Sequence, residues 1–168
     1  MGGPAMVRGA LLLALALVLQ ALRLVLPLPL LLSTFIIGTL VHMMLTVTLR
    51  LNGRSAALLL GLLLPLTAYA QGQLALPLLI PVVWLGNIVF VLALSWLGQR
   101  RWLAAALPAL GKAAVMLCLA WMVLSFLQLD NPAVRQAVLF AMSVPQLLTG
   151  IGGVLLAERL LPLLRSKI

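Results

Sequence analysis

Lys112 is the residue whose position demands an explanation in chemistry. It stands ten residues into an apolar run that opens near residue 103, which puts it about 15 Å along a helix rising 1.5 Å per residue. In a helix that crosses a bilayer this depth is close to the centre, where a lysine costs about 2.5 to 3.5 kcal/mol. An amine there needs a polar cavity, a partner or the neutral state; otherwise it must snorkel past Pro108 toward the nearer face. Asn87 and Gln146 lie at comparable depth in two other apolar runs. The three side chains can form the floor of a small-molecule site, or the two amides can serve as interhelical hydrogen-bonding glue.

Helical spacing extends the pattern. On the last apolar run, Arg135, Leu139, Met142, Ser143, Gln146, Thr149, Gly150 and Gly153 fall along one line, a stripe of polar and small residues suited to face protein or water. Pro145 adds a backbone acceptor, because its ring clashes with the carbonyl of Ala141. Trp84 stands one turn from Asn87 and presents either an aromatic wall or simple packing. The walls of the site are expected from Trp84, Met142 and Ser143, and its lid from Gln71 and Asp130 in connecting segments. His42 is the single histidine and shares a helix face with Gly38 and Thr46, as an interhelical hydrogen-bonding group would, or as a group that pairs with a neutral substrate.

Enzymatic chemistry finds no foothold. Asp130 and Glu158 are the only acids and sit at opposite ends of their runs; no H-E-x-x-H helix, nucleophile–base–acid set or phosphate-cradling Gly-Lys loop is present. Glu158 beside Arg159 reads as a local ion pair or helix-end group. Cys118 is the single cysteine, so no intrachain disulfide or cysteine metal cluster can form, and no cofactor or metal is expected.

The elements that carry these residues are set by hydropathy. Between Arg54 and Arg100 lie 45 consecutive residues without one charged side chain, and 65% of the sequence is apolar against 8% charged. Spans near 9–26, 30–50, 55–75, 78–98, 103–128 and 133–162 match the ~20 residues needed to cross ~30 Å of hydrocarbon. Breakers separate them: Pro27 and Pro29, Asn52-Gly53, Gly72 with Pro77, the Gln99–Arg101 stretch, and Asp130-Asn131-Pro132. The expectation is a single all-α transmembrane domain, 1–168, of six membrane-spanning helices.

Charge sets its orientation. The net charge of +9 does not gather into a nucleic-acid-binding patch but punctuates helix ends. With the N-terminus inside, Arg8, Arg50, Arg54, Arg100, Arg101, Arg159, Arg165 and Lys167 fall on the cytoplasmic side, and only Arg23 and Arg135 outside. Both termini are therefore expected in the cytoplasm. The segment after Arg8 resembles a signal peptide in hydropathy, but Leu19-Gln20-Ala21 is a poor cleavage site, so an uncleaved first helix is expected.

The chain resembles the S component of an energy-coupling factor transporter, the membrane subunit that captures a vitamin or other micronutrient. The resemblance rests on residues in order: Gly61 and Pro65 leading into Gln71-Gly72-Gln73, Leu85-Gly86-Asn87, Gly111-Lys112, and Pro145-Gln146-Leu147 followed by Gly150 and Gly152-Gly153. It implies a six-helix S-component-like bundle in the cytoplasmic membrane of a bacterium or archaeon, and no ATPase of its own. It also implies delivery of the micronutrient to a membrane T component powered by two cytosolic ATPases. The family's Ala-x-x-x-Ala contact with the T component maps onto Ala10 and Ala14. The shortage of charge on the outer side points to a small, mostly apolar ligand. The competing expectation is a structural or assembly subunit of another membrane complex that binds no ligand.

Overall fold

The computed structural model describes residues 3–26, 28–74, 76–97, 101–128 and 131–165. Apolar residues without interruption by charge drive helix after helix, and backbone polar groups buried away from water are best satisfied inside a helix. Seven helices result: α1 (Gly3–Val25), α2 (Leu30–Asn52), α3 (Arg54–Ala70), α4 (Leu79–Leu97), α5 (Arg101–Phe126), α6 (Pro132–Ala141) and α7 (Val144–Arg165). No strand occurs among the described residues.

Length and composition fit a multi-pass membrane bundle. Helices α1, α2, α4 and α5 are each long and apolar enough to cross a bilayer, as is the α6–α7 stretch counted as one, while α3 is apolar but shorter at 17 residues. Leucines, tryptophans and phenylalanines cover the outside of the bundle; Trp96, Trp102, Trp121 and Phe126 are all exposed. In water such a surface would aggregate.

Two differences from the sequence expectation have local causes. The third helix stops at Ala70 rather than 75, because Gly72 adopts φ +69° and the Gln73 N–H turns back to the carbonyl of Ala68. The last apolar run is not one helix over 133–162. It breaks at Met142 and Ser143, where the Ser143 N–H reaches back only to Phe140, three residues away. Pro145 lacks the N–H that would bond Ala141, so the helix restarts instead of continuing.

Packing is alternately antiparallel along the chain. Arg8 Nε donates to Asn52 Oδ1 at one end of the α1–α2 pair, and Arg23 donates to Thr34 at the other. Gly53, at φ +86°, allows α2 to close on Leu49 and α3 to start at once. Helices α2 and α7, far apart in sequence, run parallel: Gly38 faces Thr149, His42 faces Gly153 and Arg50 Nε donates to Glu158 Oε1 at 3.0 Å. A Cβ on Gly153 would stand 2.5 Å from His42 Cβ and 2.7 Å from the Met43 nitrogen, so glycine alone lets these helices touch backbone to backbone.

The main apolar core joins α2, α3, α4, α5 and α7 through Met44, Leu45, Leu60, Leu64, Phe90, Leu94, Ala105, Ala109 and Val154. A second cluster lies toward the end that holds the 71–73 turn, built from Leu79, Val82, Met116, Ala120, Leu124, Val138 and Met142. Helix α1 is the least buried of the long helices and leaves Ala10, Ala14, Leu11, Leu15 and Val18 exposed.

Candidate functional site

Lys112 does not snorkel. Its side chain is 2% exposed, and the Nζ lies 2.7 Å from Asn87 Oδ1 and 2.8 Å from His42 Nε2. His42 Nδ1 lies 2.7 Å from the carbonyl oxygen of Gly38, which can only accept. The proton therefore belongs on Nδ1, and Nε2 is left as an acceptor for the lysine in a neutral ring. The Phe90 ring packs edge-on to His42 at 5.0 Å, and the lysine nitrogen stands 5.9 Å from its centroid, within cation–π range.

Asn87 uses both ends of its amide. While Oδ1 accepts from Lys112, Nδ2 donates to the Gly61 carbonyl at 2.7 Å. That carbonyl is the one deprived of its helical donor by Pro65, four residues on. One turn away, Trp84 Nε1 donates to the Leu62 carbonyl at 2.6 Å. The α3–α4 seam is thus fastened by two α4 side chains docked on the proline-altered backbone of α3. A continuous polar knot runs from Gly38 through His42, Lys112 and Asn87 to Gly61, tying α2, α5, α4 and α3 together.

Glycine makes room for the lysine. At Gly86 a Cβ would meet Met116 Cγ at 2.5 Å and Lys112 Cγ at 3.3 Å, so the two long α5 side chains lie across the bare backbone of α4. Gly150 does the same for α5 and α7, where its Cβ would come 2.7 Å from that of Ala109.

The other expected site residues fall elsewhere. Gln146 does not join the knot: its Nε2 donates to the Ala141 carbonyl at 3.2 Å and so occupies the acceptor that Pro145 sets free. The acceptor and the amide expected to line a cavity satisfy each other. The broken last run also splits the expected stripe, with Thr149 and Gly153 against α2, Gly150 against α5, and Arg135 and Ser143 along a groove between α5 and α6. This groove, about 350 Å³, is lined by Leu117, Pro132, Arg135, Gln136, Leu139, Phe140 and Ser143. Met142 is buried in the second apolar cluster. Trp84 forms a seam rather than a free aromatic wall.

Gln71 accepts from Gln73 Nε2 at 2.6 Å, and the same nitrogen reaches the Gln20 carbonyl of α1. Gln20, buried in the first span, donates to the Leu64 carbonyl and accepts from Thr67. The 71–73 turn is therefore stapled to α1 and α3. Asp130 lies outside the described residues, as do Arg100 and Lys167 and the side chains of Arg101 and Arg165. No group of three metal-ligating side chains occurs among the described residues. His42, Gly86, Met116 and Gln20 are additions to the sequence-derived site. The i−4 and i+4 neighbours of His42, Gly38 and Thr46, marked the inward face, and Gly86 stood beside Asn87 in Leu85-Gly86-Asn87; Met116 and Gln20 carried no signal beyond helical phase. Comparison with known protein families, curated proteins and solved structures finds no match to this chain.

Proposed function

We propose that the chain is the substrate-capture subunit of an energy-coupling-factor-type importer in the cytoplasmic membrane of a bacterium or archaeon. In this reading it spans the membrane six times with both termini inside. It binds a vitamin or similar micronutrient from the outer side and passes it to a T component driven by two cytosolic ATPases. It is not itself an enzyme. The observation that carries the reading is the lysine at mid-span, held by an amide and an imidazole and facing no acid among the described residues. A purely structural bundle gains little from such a group, since replacing a buried ionic group by apolar side chains is often neutral or stabilising. A capture subunit needs polar groups at depth whose bonds can be exchanged for a ligand's.

Lys112, Asn87 and His42 form the floor in this scheme. Met116 and Met142 fill the space above them, and α1 offers Ala10 and Ala14 on an exposed face where a partner helix can approach closely. The second reading is an assembly subunit in which the knot only locks helices together. It is favoured by the near-complete burial of all three knot side chains, at 2 to 3% exposure.

Thermal-shift screening of the purified protein against vitamins separates the two. A ligand that binds only the folded state raises the melting temperature by mass action. Capture predicts a hit that disappears in Asn87→Ala and Lys112→Met, together with copurification of a T component and ATPases. Absence of any ligand, with other envelope proteins copurifying, establishes the assembly role instead.

A further inference from the structure

Among the described residues no acid stands beside the Lys112 amine. Of the two acids, Glu158 is joined to Arg50 beyond the α2–α7 seam, and Asp130 lies outside the described residues. The amine meets an amide oxygen, a neutral imidazole nitrogen and an aromatic face. An ammonium carries three N–H donors, and the described hydrogen bonds occupy two. Deeply buried lysines are normally paired with an opposite charge.

The second apolar cluster begins directly against this amine. Met116 lies one turn along α5 from Lys112, and both side chains lie against Gly86. From there Leu79, Val82, Ala120 and Leu124 continue toward the end of the bundle, closed over by Val138 and Met142. The cover is slight: α6 has ten residues, of which Val138 alone is buried. Its joint to α7 is the non-helical pair Met142 and Ser143, steadied by the Gln146 bond to Ala141. Two of the seven cluster members are methionines, the most deformable of apolar side chains.

We propose that this cluster is the closed form of a chamber for an amphiphilic monoanion, a small organic carboxylate whose apolar body displaces Met116 and Met142. Its carboxylate accepts from Lys112 Nζ, and α6 moves about Met142 and Ser143 to admit it. This assignment of substrate class rests on the capture reading. The carboxylate brings a negative charge that no described residue sets beside the amine, together with a third acceptor, while the apolar body suits walls made of leucine, valine and alanine. Cationic ligands are disfavoured, because the cluster contains no acid.

The test uses the full-length protein in lipid nanodiscs and matched probes: hexanoate, octanoate, 3-phenylpropionate and indole-3-propionate, each against its primary amide. Binding is followed by calorimetry, with hydrogen exchange over residues 132–143. At least one carboxylate is expected to bind about tenfold or more tightly than its amide, with altered exchange in α6. That preference should fall to within about twofold in Lys112→Met and in Lys112→Gln, the latter keeping a donor for Asn87. The anion assignment is overturned if no carboxylate outperforms its amide, or if the preference survives both substitutions. A neutral ligand that binds and is lost in Asn87→Leu overturns the anion class while leaving capture standing. Failure of these probes and of the vitamin screen alike overturns both.

Discussion

Asn87 and Pro65 form a compensating pair, which a double-mutant cycle can measure. In Asn87→Leu the Gly61 carbonyl loses the 2.7 Å donor that stands in for the missing N–H of Pro65, and Lys112 loses one of its two acceptors. Stranding a buried acceptor costs about 1 to 3 kcal/mol, and interhelical hydrogen bonds in membranes average about 0.6 kcal/mol with a maximum near 1.7. Both losses together should destabilise the protein by about 2 kcal/mol. Pro65→Ala restores a backbone N–H to Gly61. In that background the carbonyl no longer depends on Asn87, while the lysine's loss remains and cancels in the cycle. The coupling expected is about 1 kcal/mol, read from equilibrium unfolding of the four proteins in mixed lipid–detergent micelles. Additivity within about 0.5 kcal/mol would show that Asn87 does not replace the proline's hydrogen bond and would refute the reasoning.

Adjacent glycines should respond oppositely to alanine. Gly153→Ala drives a methyl into the α2 backbone and should cost about 1 to 3 kcal/mol, whereas Gly152→Ala meets only Thr39 side-chain atoms at 3.4 and 3.5 Å and should be neutral or stabilising by about 0.5 kcal/mol; thermal melts of both decide. For the partly exposed pair Arg50 and Glu158, the cycle with Arg50→Met and Glu158→Gln should give a coupling near 1 kcal/mol that shrinks in high salt. Gln146→Leu strands the Ala141 carbonyl at the α6–α7 joint, so hydrogen exchange should quicken over 138–147 while the middle of α5 stays protected.

Helix existence was written in hydropathy, and the bounds of α2 and α4 follow from proline, glycine and asparagine punctuation almost to the residue. Hydropathy failed where apolar residues continue through a turn. Leu74 looks like helix, but the positive φ of Gly72 ends α3 before it. Depth in the bundle was equally legible, since it needs only a count along each run, and it placed Lys112 and Asn87 at one level. Azimuth was not. Which helix lies beside which depends on packing across the whole chain, so equal depth drew Gln146 into the site and left His42 beside it as mere glue. A proline's effect on its own helix was foreseeable at Ala141. That the next residue's side chain would satisfy the freed oxygen was not, because this depends on the break at Met142 and Ser143.

The parallel contact between α2 and α7 bears on how the protein is made. Gly38, His42 and Arg50 meet their partners Thr149, Gly153 and Glu158 across more than a hundred residues of intervening sequence. During synthesis α2 emerges early, and although α4 and α5 can cover the His42 ring, the face that carries Gly38 and Thr39 must wait for the final segment to arrive. A ribosome that stalls before residue 144, or a nonsense mutation there, therefore leaves the small-residue face of α2 without its partner helix, a natural mark for quality-control proteases.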